Sequence, residues 1–330
     1  MYYLDNLILN TDSYKASHWL QYPPGTEKTF FYVESRGGQY DSTVFFGLQA
    51  ILKEYLSRIV THDDVDEACD FFAAHGEPFN EAGWRRIVDV HGGKLPLRIR
   101  AVPEGSVVPT HQALVTIEST DDQAFWLPSY LETLLLRLWY PVTVATISWQ
   151  VKQIIKGFLD RTSDEPEAQL PFKLHDFGAR GVSSLESAAI GGMAHLVNFK
   201  GTDTVSGVLA ARRYYHEEMA GYSIPAAEHS TITSWGARTR SMPIATCSRS
   251  SPSRAAWSPW CRIATTSTTP SANTGARPCA MRRSRRVPRW SYVPIRANRS
   301  RSCTNAWFCW TKPSAARSTP KATNCSNMCA

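Results

Sequence analysis

Three short polar clusters contain the residue types that could do chemistry. His175, Asp176, Phe177 and Arg180 lie within HDFGARG, Asp203 lies within GTDT, and Glu228 and His229 lie within AAEHS. Imidazole, carboxylate and guanidinium groups move protons and hold anions. Each cluster follows a short stretch that reads as a strand and precedes one that reads as a helix. In a β/α barrel, catalytic groups gather at such strand ends. Three clusters at equivalent places carry more weight than any one alone.

The elements that must position them repeat from Phe172 onward. FKLHDFGARGVSS leads into a helix predicted from Ser183 to Leu196. Leu196–Phe199 reads as the next strand, with Thr202–Thr204 at its end and a helix to Tyr215. Tyr222–Ile224 reads as the third strand, followed by a helix beginning near Ser230. Repeated strand–helix units imply parallel strands. His175 and His195 are read as structural histidines, and Glu228 as a residue that orients His229. His229 itself has two readings, a functional group or a buried histidine bonded to backbone.

Upstream, LDNLILNTDSYKASH runs from apolar to polar. Thr11 or Asp12 reads as a helix cap, or Asp12 and Tyr14 as binding residues. Lys28–Ser35 is aromatic and β-branched and predicts a strand. Arg36 follows before two glycines, either as a phosphate-holding residue or as a solvated loop arginine. Val44–Ile59 predicts a helix from its apolar spacing. Asp63–Ala74 predicts a second, entered through Thr61, and Asn80–Val90 a third, ending at Gly92. Leu95–Val102 and Ala113–Ile117 read as strands of a small accessory sheet, with PEGSVVPTHQ as turn and loop between them. Phe125–Trp139 and Val142–Leu159 read as two core helices separated at Tyr140-Pro141, and Ser163–Gln169 as a surface linker.

Composition divides the chain at Gly236. The 94 residues from Ala237 hold no Asp, Glu, Leu or His, but fifteen Arg, two Lys, seven Cys and five Trp. Their charge is +17; the whole chain is +7, so the first 236 residues carry −10. The basic balance therefore belongs to the tail. One cysteine in the body, Cys69, argues for a reducing compartment. MYYLDNLILN lacks a basic n-region and a long apolar core, so no signal peptide is expected. No apolar run long enough to span a bilayer occurs. A cytoplasmic protein without membrane partners is the expectation.

HDFGARGVSS, NFKGTDTV and IPAAEHSTITSWG, with NTDSYKASH and QYPPGTEK, resemble the nicotinamide phosphoribosyltransferases, relatives of the nicotinate phosphoribosyltransferases. Five separated motifs in order, from about Leu7 to Gly236, carry the resemblance. It implies an irregular β/α barrel beside a smaller α+β domain, in a homodimer with the active site at the subunit interface. It implies a reaction of NAD salvage: nicotinamide and phosphoribosyl pyrophosphate give nicotinamide mononucleotide and pyrophosphate, with Mg²⁺ on the phosphates. His229, Asp203 and Arg180 then form the catalytic set. Asp203 accepts from the carboxamide N–H and repels the carboxylate of nicotinate. Arg180 holds ligand oxygens, and His229 takes a phosphoryl group from ATP at a helix N-terminus. Phe177 stacks on the pyridine ring from one side and Tyr14, from the partner subunit, on the other. Asp12 orients Tyr14 or the amide, and Arg36 meets phosphate across the dimer. A nicotinate phosphoribosyltransferase is the alternative within the class.

The tail has three readings. A cysteine-rich metal module is weak, because no His is present and Cys303–Cys309 and Cys325–Cys329 do not pair into a zinc pattern. A basic disordered tail that binds nucleic acid has the charge, but five tryptophans and seven cysteines are unusual there. Translation in the wrong frame fits best. Cys261–Asn273 can be back-translated so that a frame shifted by two bases reads PDSYDLYNAVSE. Ser291–Ser300 permits VRPDSGEPV in that same frame, and RPDSG is a motif of the family, whose Arg and Asp line the ribose and phosphate side. On this reading the organisation is 1–160 as an N-terminal α+β region, 170–236 as the first portion of an incomplete barrel, and 237–330 as a disordered out-of-frame tail. Little or no activity is expected of such a chain.

Overall fold

The computed structural model describes residues 5–226, 228, 230 and 234. All lie within the unit Met1–Thr269. The expectations for residues 237–330 therefore fall outside the described residues.

In chain order, strand β1 (Phe30–Glu34) leads to β2 (Ser42–Val44). Helix α1 (Leu48–Ile51) continues as a π-helical turn, Leu52–Leu56. Helices α2 (His62–His75) and α3 (Glu81–His91) precede strands β3 (Leu97–Ala101), β4 (Val107–Pro109) and β5 (Ala113–Ser119). Then come α4 (Leu127–Tyr130), α5 (Glu132–Leu136), the long α6 (Trp139–Thr162) and α7 (Pro166–Gln169). The segment that carries the site follows as β6 (His175–Asp176), α8 (Leu185–His195), β7 (Gly201–Thr202) and α9 (Val205–Tyr215).

β1, β5 and β3 form an antiparallel sheet in that order, the small sheet expected upstream. Val115 and Ile117 of β5 turn inward to a core built around Trp84, Phe72, Phe45 and Leu134. Helices α2 and α3 join it through local signals legible in the sequence. Thr61 and Asp64 form a reciprocal capping box, and Asn80 accepts the Gly83 N–H. Gly92 ends α3 in the left-handed region.

Five expectations are corrected. Val44 does not start a helix. It pairs with Val107 in a β2–β4 ladder, so β4 lies within the stretch read as loop. The helix begins only after Gly47, whose φ is +104° and where a Cβ would fall 2.6 Å from Pro141 Cγ. The Phe125–Trp139 run is two short helices rather than one. Tyr140-Pro141 is not a break between helices, because Pro141 sits in the first turn of α6, where its missing N–H is not needed. Leu196–Phe199 is not a strand. The His195 carbonyl accepts the N–H groups of Asn198 and Phe199, which winds the chain one turn further, and the strand falls at Gly201–Thr202.

A second core lies between α6, α8 and α9, from Ala145, Met193, Ala194, Ala210 and Ala211, with Val44 and Phe46. Small residues let α8 and α9 approach closely: a Cβ on Gly207 would fall 2.8 Å from the Gly192 carbonyl carbon. Thr146 of α6 accepts the Val44 N–H at 2.9 Å, linking this core to β2. Among the described residues, no helix is long and apolar enough to cross a membrane.

Candidate active site

Three parallel backbone segments set the geometry. His175 and Asp176 pair with Gly201 and Thr202, and Gly201 bridges in parallel to Tyr222. The Asp203 N–H donates to the Asp176 carbonyl at 2.9 Å, and the Thr202 N–H donates to the Tyr222 carbonyl at 2.9 Å. Residues 175–177, 202–203 and 222–223 are thereby set side by side at the ends of three segments. The parallel arrangement is the one expected from the repeated units, although the third strand shrinks to a single bridge.

Phe177 opens a 3-10 turn, Gly178–Gly181, that also carries Arg180. Asp176 Oδ1 accepts the Gly178 N–H at 2.7 Å and fixes this turn. Phe177 is 53% exposed, which is costly for a large apolar side chain. Arg180 is exposed on the same turn. Asp203 stands at the end of β7, and its Oδ1 accepts from His175 Nε2 at 2.9 Å and from the Ser223 hydroxyl. Phe177, Arg180 and Asp203 are thus gathered on two adjacent strand ends. His175 and Ser223, which sequence reasoning leaves out of the site, flank Asp203 from the two neighbouring segments. The signal for His175 is its register: in a parallel pair it faces Gly201, two residues before Asp203.

His195 is buried as a structural histidine would be. Its Nε2 donates to the Gly201 carbonyl at 3.1 Å, and its ring stacks on Phe199 at 5.4 Å. Burial pushes its pKa down, against the opposing pull of Asp176 and the Gly201 and Leu174 carbonyls.

Asp12 and Tyr14 sit elsewhere. Asp12 accepts from the Thr133 hydroxyl at 2.6 Å, and Thr11 donates to the Tyr130 carbonyl at 3.0 Å. Neither side chain caps a helix; both fasten the N-terminal segment to α4 and α5. Buried Lys15 adds an ion pair with Glu132. These fastenings turn Tyr14 outward, 51% exposed and edge-on to His18 at 5.0 Å. Among the described residues, no hydrogen bond or ring contact joins Asp12 or Tyr14 to Phe177 or Asp203. Arg36 lines a separate groove of about 440 Å³ with Tyr40, Trp139 and Thr143. His229 lies outside the described residues. Its neighbour Glu228 accepts the Ser230 N–H at 2.8 Å.

A larger groove, about 490 Å³, runs between the π-helical turn, α8 and α9 and holds none of the candidate residues. Its polar groups pair with one another: Tyr55 donates to Glu186 at 2.5 Å and Tyr214 to Glu54 at 2.7 Å. With Tyr215 bonded to Glu104, they brace α8 and α9 against the N-terminal core.

Two family models match the chain. Residues 172–271, which include the whole strand-end cluster, match the nicotinate phosphoribosyltransferase family, and this match runs past Gly236. Over this stretch the chain is similar to the phosphoribosyltransferases of pyridine bases. Residues 6–99 match the nicotinamide phosphoribosyltransferase N-terminal domain. A nicotinamide phosphoribosyltransferase of Xanthomonas campestris pv. campestris is 78% identical over 236 residues, 72% of this chain and 50% of that protein. One from Acinetobacter baylyi is 33% identical over 241 residues, 67% of this chain and 47% of that protein. A crystal structure of human nicotinic acid phosphoribosyltransferase overlaps 68% of this chain and 40% of its own, at 21% identity and a TM-score of 0.45. The chain spans about half the length of the curated relatives it matches.

Proposed function

We propose that this chain carries the base-binding side of a nicotinamide phosphoribosyltransferase. The observation that carries the reading is the placement of Phe177 and Asp203 on adjacent parallel strand ends, an exposed flat ring beside a carboxylate. An electron-poor pyridine stacks on such a ring while its carboxamide N–H donates to the carboxylate. The pyridine nitrogen then attacks C1 of phosphoribosyl pyrophosphate. The C1–oxygen bond breaks, and pyrophosphate leaves with the electron pair. Arg180, on the Phe177 turn, meets ligand oxygens near the reacting carbon. Magnesium arrives with the phosphorylated substrate. Among the described residues, no cluster of three or more His, Cys, Asp or Glu is arranged to hold a metal ion, and no step is assigned to one.

The finer reading follows the same family. The three parallel segments begin a β/α barrel. Two chains meet so that Tyr14 of one covers the base held on Phe177 of the other, with Asp12 behind it and Arg36 near phosphate. The outward orientation of Tyr14, away from its own chain's cluster, suits a contribution to a partner. His229 accepts a phosphoryl group from ATP in a cytoplasmic NAD-salvage enzyme. Residues 237–330 are out-of-frame translation, and the ribose and phosphate wall of the site is missing from this polypeptide.

The test compares two purified proteins, the 330-residue chain and a chain whose reading frame is restored by two bases after the Gly236 codon. Nicotinamide mononucleotide formation is expected from the restored chain and not from the other. Equal turnover by both overturns the out-of-frame reading. A restored chain that uses nicotinate in place of nicotinamide overturns the choice of base.

A further inference from the structure

We propose that His175 is a positioning residue for Asp203, holding one carboxylate oxygen so that the other is presented to the carboxamide of the base. This inference rests on the reading of Phe177 and Asp203 as the base site and adds to it the group that sets their mutual arrangement.

The His175 ring touches both groups. Its Nε2 lies 2.9 Å from Asp203 Oδ1, and its centroid lies 4.7 Å from that of Phe177, tilted by 37°. A carboxylate oxygen only accepts, so Nε2 must carry a proton for this bond. The Ser223 hydroxyl donates to the same Oδ1. Oδ1 is thus held by two donors from the two flanking segments. Among the described residues, Oδ2 accepts no hydrogen bond. A carboxylate on a short side chain otherwise rotates freely about its terminal torsion, which is broad and two-fold. Two donors on one oxygen stop that rotation and fix where Oδ2 points.

The ring is itself held. A Cβ on Gly201 would fall 2.8 Å from His175 Nδ1, so the imidazole lies flush on the strand that leads to Asp203. The side chain is only 16% exposed, whereas that of Asp203 is 35% exposed. The fixed partner is the covered one, and the presented partner is the open one. A device that only filled space would not need an N–H at this point. One that orients a hydrogen-bond acceptor for a single base would need it.

The test measures nicotinamide and nicotinate binding to the full 330-residue chain by isothermal titration calorimetry, with circular dichroism melts of every variant. His175→Leu keeps bulk but removes the donor, and nicotinamide affinity is expected to fall about tenfold, the equivalent of one charge-assisted hydrogen bond. His175→Gln places an amide N–H near the Nε2 position and should restore affinity to within about threefold. Ser223→Ala, which removes the second donor, should weaken binding in the same direction. If His175→Leu does not fold, His175→Asn carries the test, because its amide ends short of Asp203 and should show the same loss. Equal affinity in the donor-free variants overturns the positioning role and leaves the base site standing. Equal loss in His175→Gln and His175→Leu, with unchanged melts, also overturns it, since the ring and not its N–H would then matter. No nicotinamide binding by the unaltered chain overturns the base site and this inference with it.

Discussion

His195 Nε2 donates to the Gly201 carbonyl at 3.1 Å, fastening the end of α8 to the strand that leads into Asp203. Since the carbonyl can only accept, the imidazole is held as the Nε2–H tautomer, with Nδ1 facing the Ser148 hydroxyl at 3.4 Å.

Burial lowers the His195 pKa, so the unfolded chain takes up a proton at a higher pH than the folded one. Stability from this group is complete above the ordinary histidine value, about 6.5, and is lost as pH falls from there toward the depressed folded value. Urea midpoints should therefore fall as pH drops below about 6.5. In His195→Gln this portion of the decline should flatten. An unchanged slope in the variant would contradict the assignment.

A second acid-sensitive group lies where α3 meets the end of β5. Burial alone would raise the pKa of Asp121, but hydrogen bonds from His91 at 2.7 Å and from the Gln123 N–H, with the Arg86 charge, outweigh it and hold the carboxyl low. The folded value lies below the unfolded one. The stabilisation is present above about pH 4 and is lost as pH falls through the folded value. Asp121→Asn should cost about 1–3 kcal/mol at pH 7 and show a shallower loss below pH 4, read by denaturant melts at each pH.

Gly207 faces the Gly192 backbone where α9 crosses α8, with no room for a side chain. Gly207→Val should push the two helices apart and cost about 1–3 kcal/mol through overpacking. A melt unchanged from the parent would mean that the crossing tolerates separation.

On the proposed base site, Asp203→Ala removes the charge that would oppose a carboxylate ligand. In a chain whose frame is restored after the Gly236 codon, the nicotinamide-to-nicotinate ratio of kcat/KM should then fall toward one. A ratio that stays high would move base discrimination to another residue.

Much of the fold is legible in the sequence because its signals are local. Thr61, Asn80 and Gly92 mark their helix ends through side-chain or backbone geometry within three residues. The polar clusters at residues 175–180 and 203 fall on parallel segments as the repeat implies. Val44 misleads because its apolar neighbours fit a helical period, while its real partner, Val107, is sixty-odd residues away in a stretch with turn chemistry. Leu196–Phe199 misleads because β-branched and aromatic residues also serve to finish a buried helix end. His175 escapes sequence reasoning for a similar reason: its partner Asp203 is distant in sequence, and only strand register brings them together. Tyr14 is singled out by a family motif, and its outward placement depends on Asp12, Thr11 and Lys15 reaching α4 and α5.

Helix α6 contributes Val142 to the N-terminal core and Ala145 to the core beneath the strand ends, within a single turn. The two cores cannot melt independently while that turn persists, so they should open as one cooperative unit. The amides of residues 142–149 are then expected to be the last to exchange with deuterated solvent. A chain built in this way would give the strand-end cluster a rigid foundation on its α6 side, whatever sequence follows Gly236.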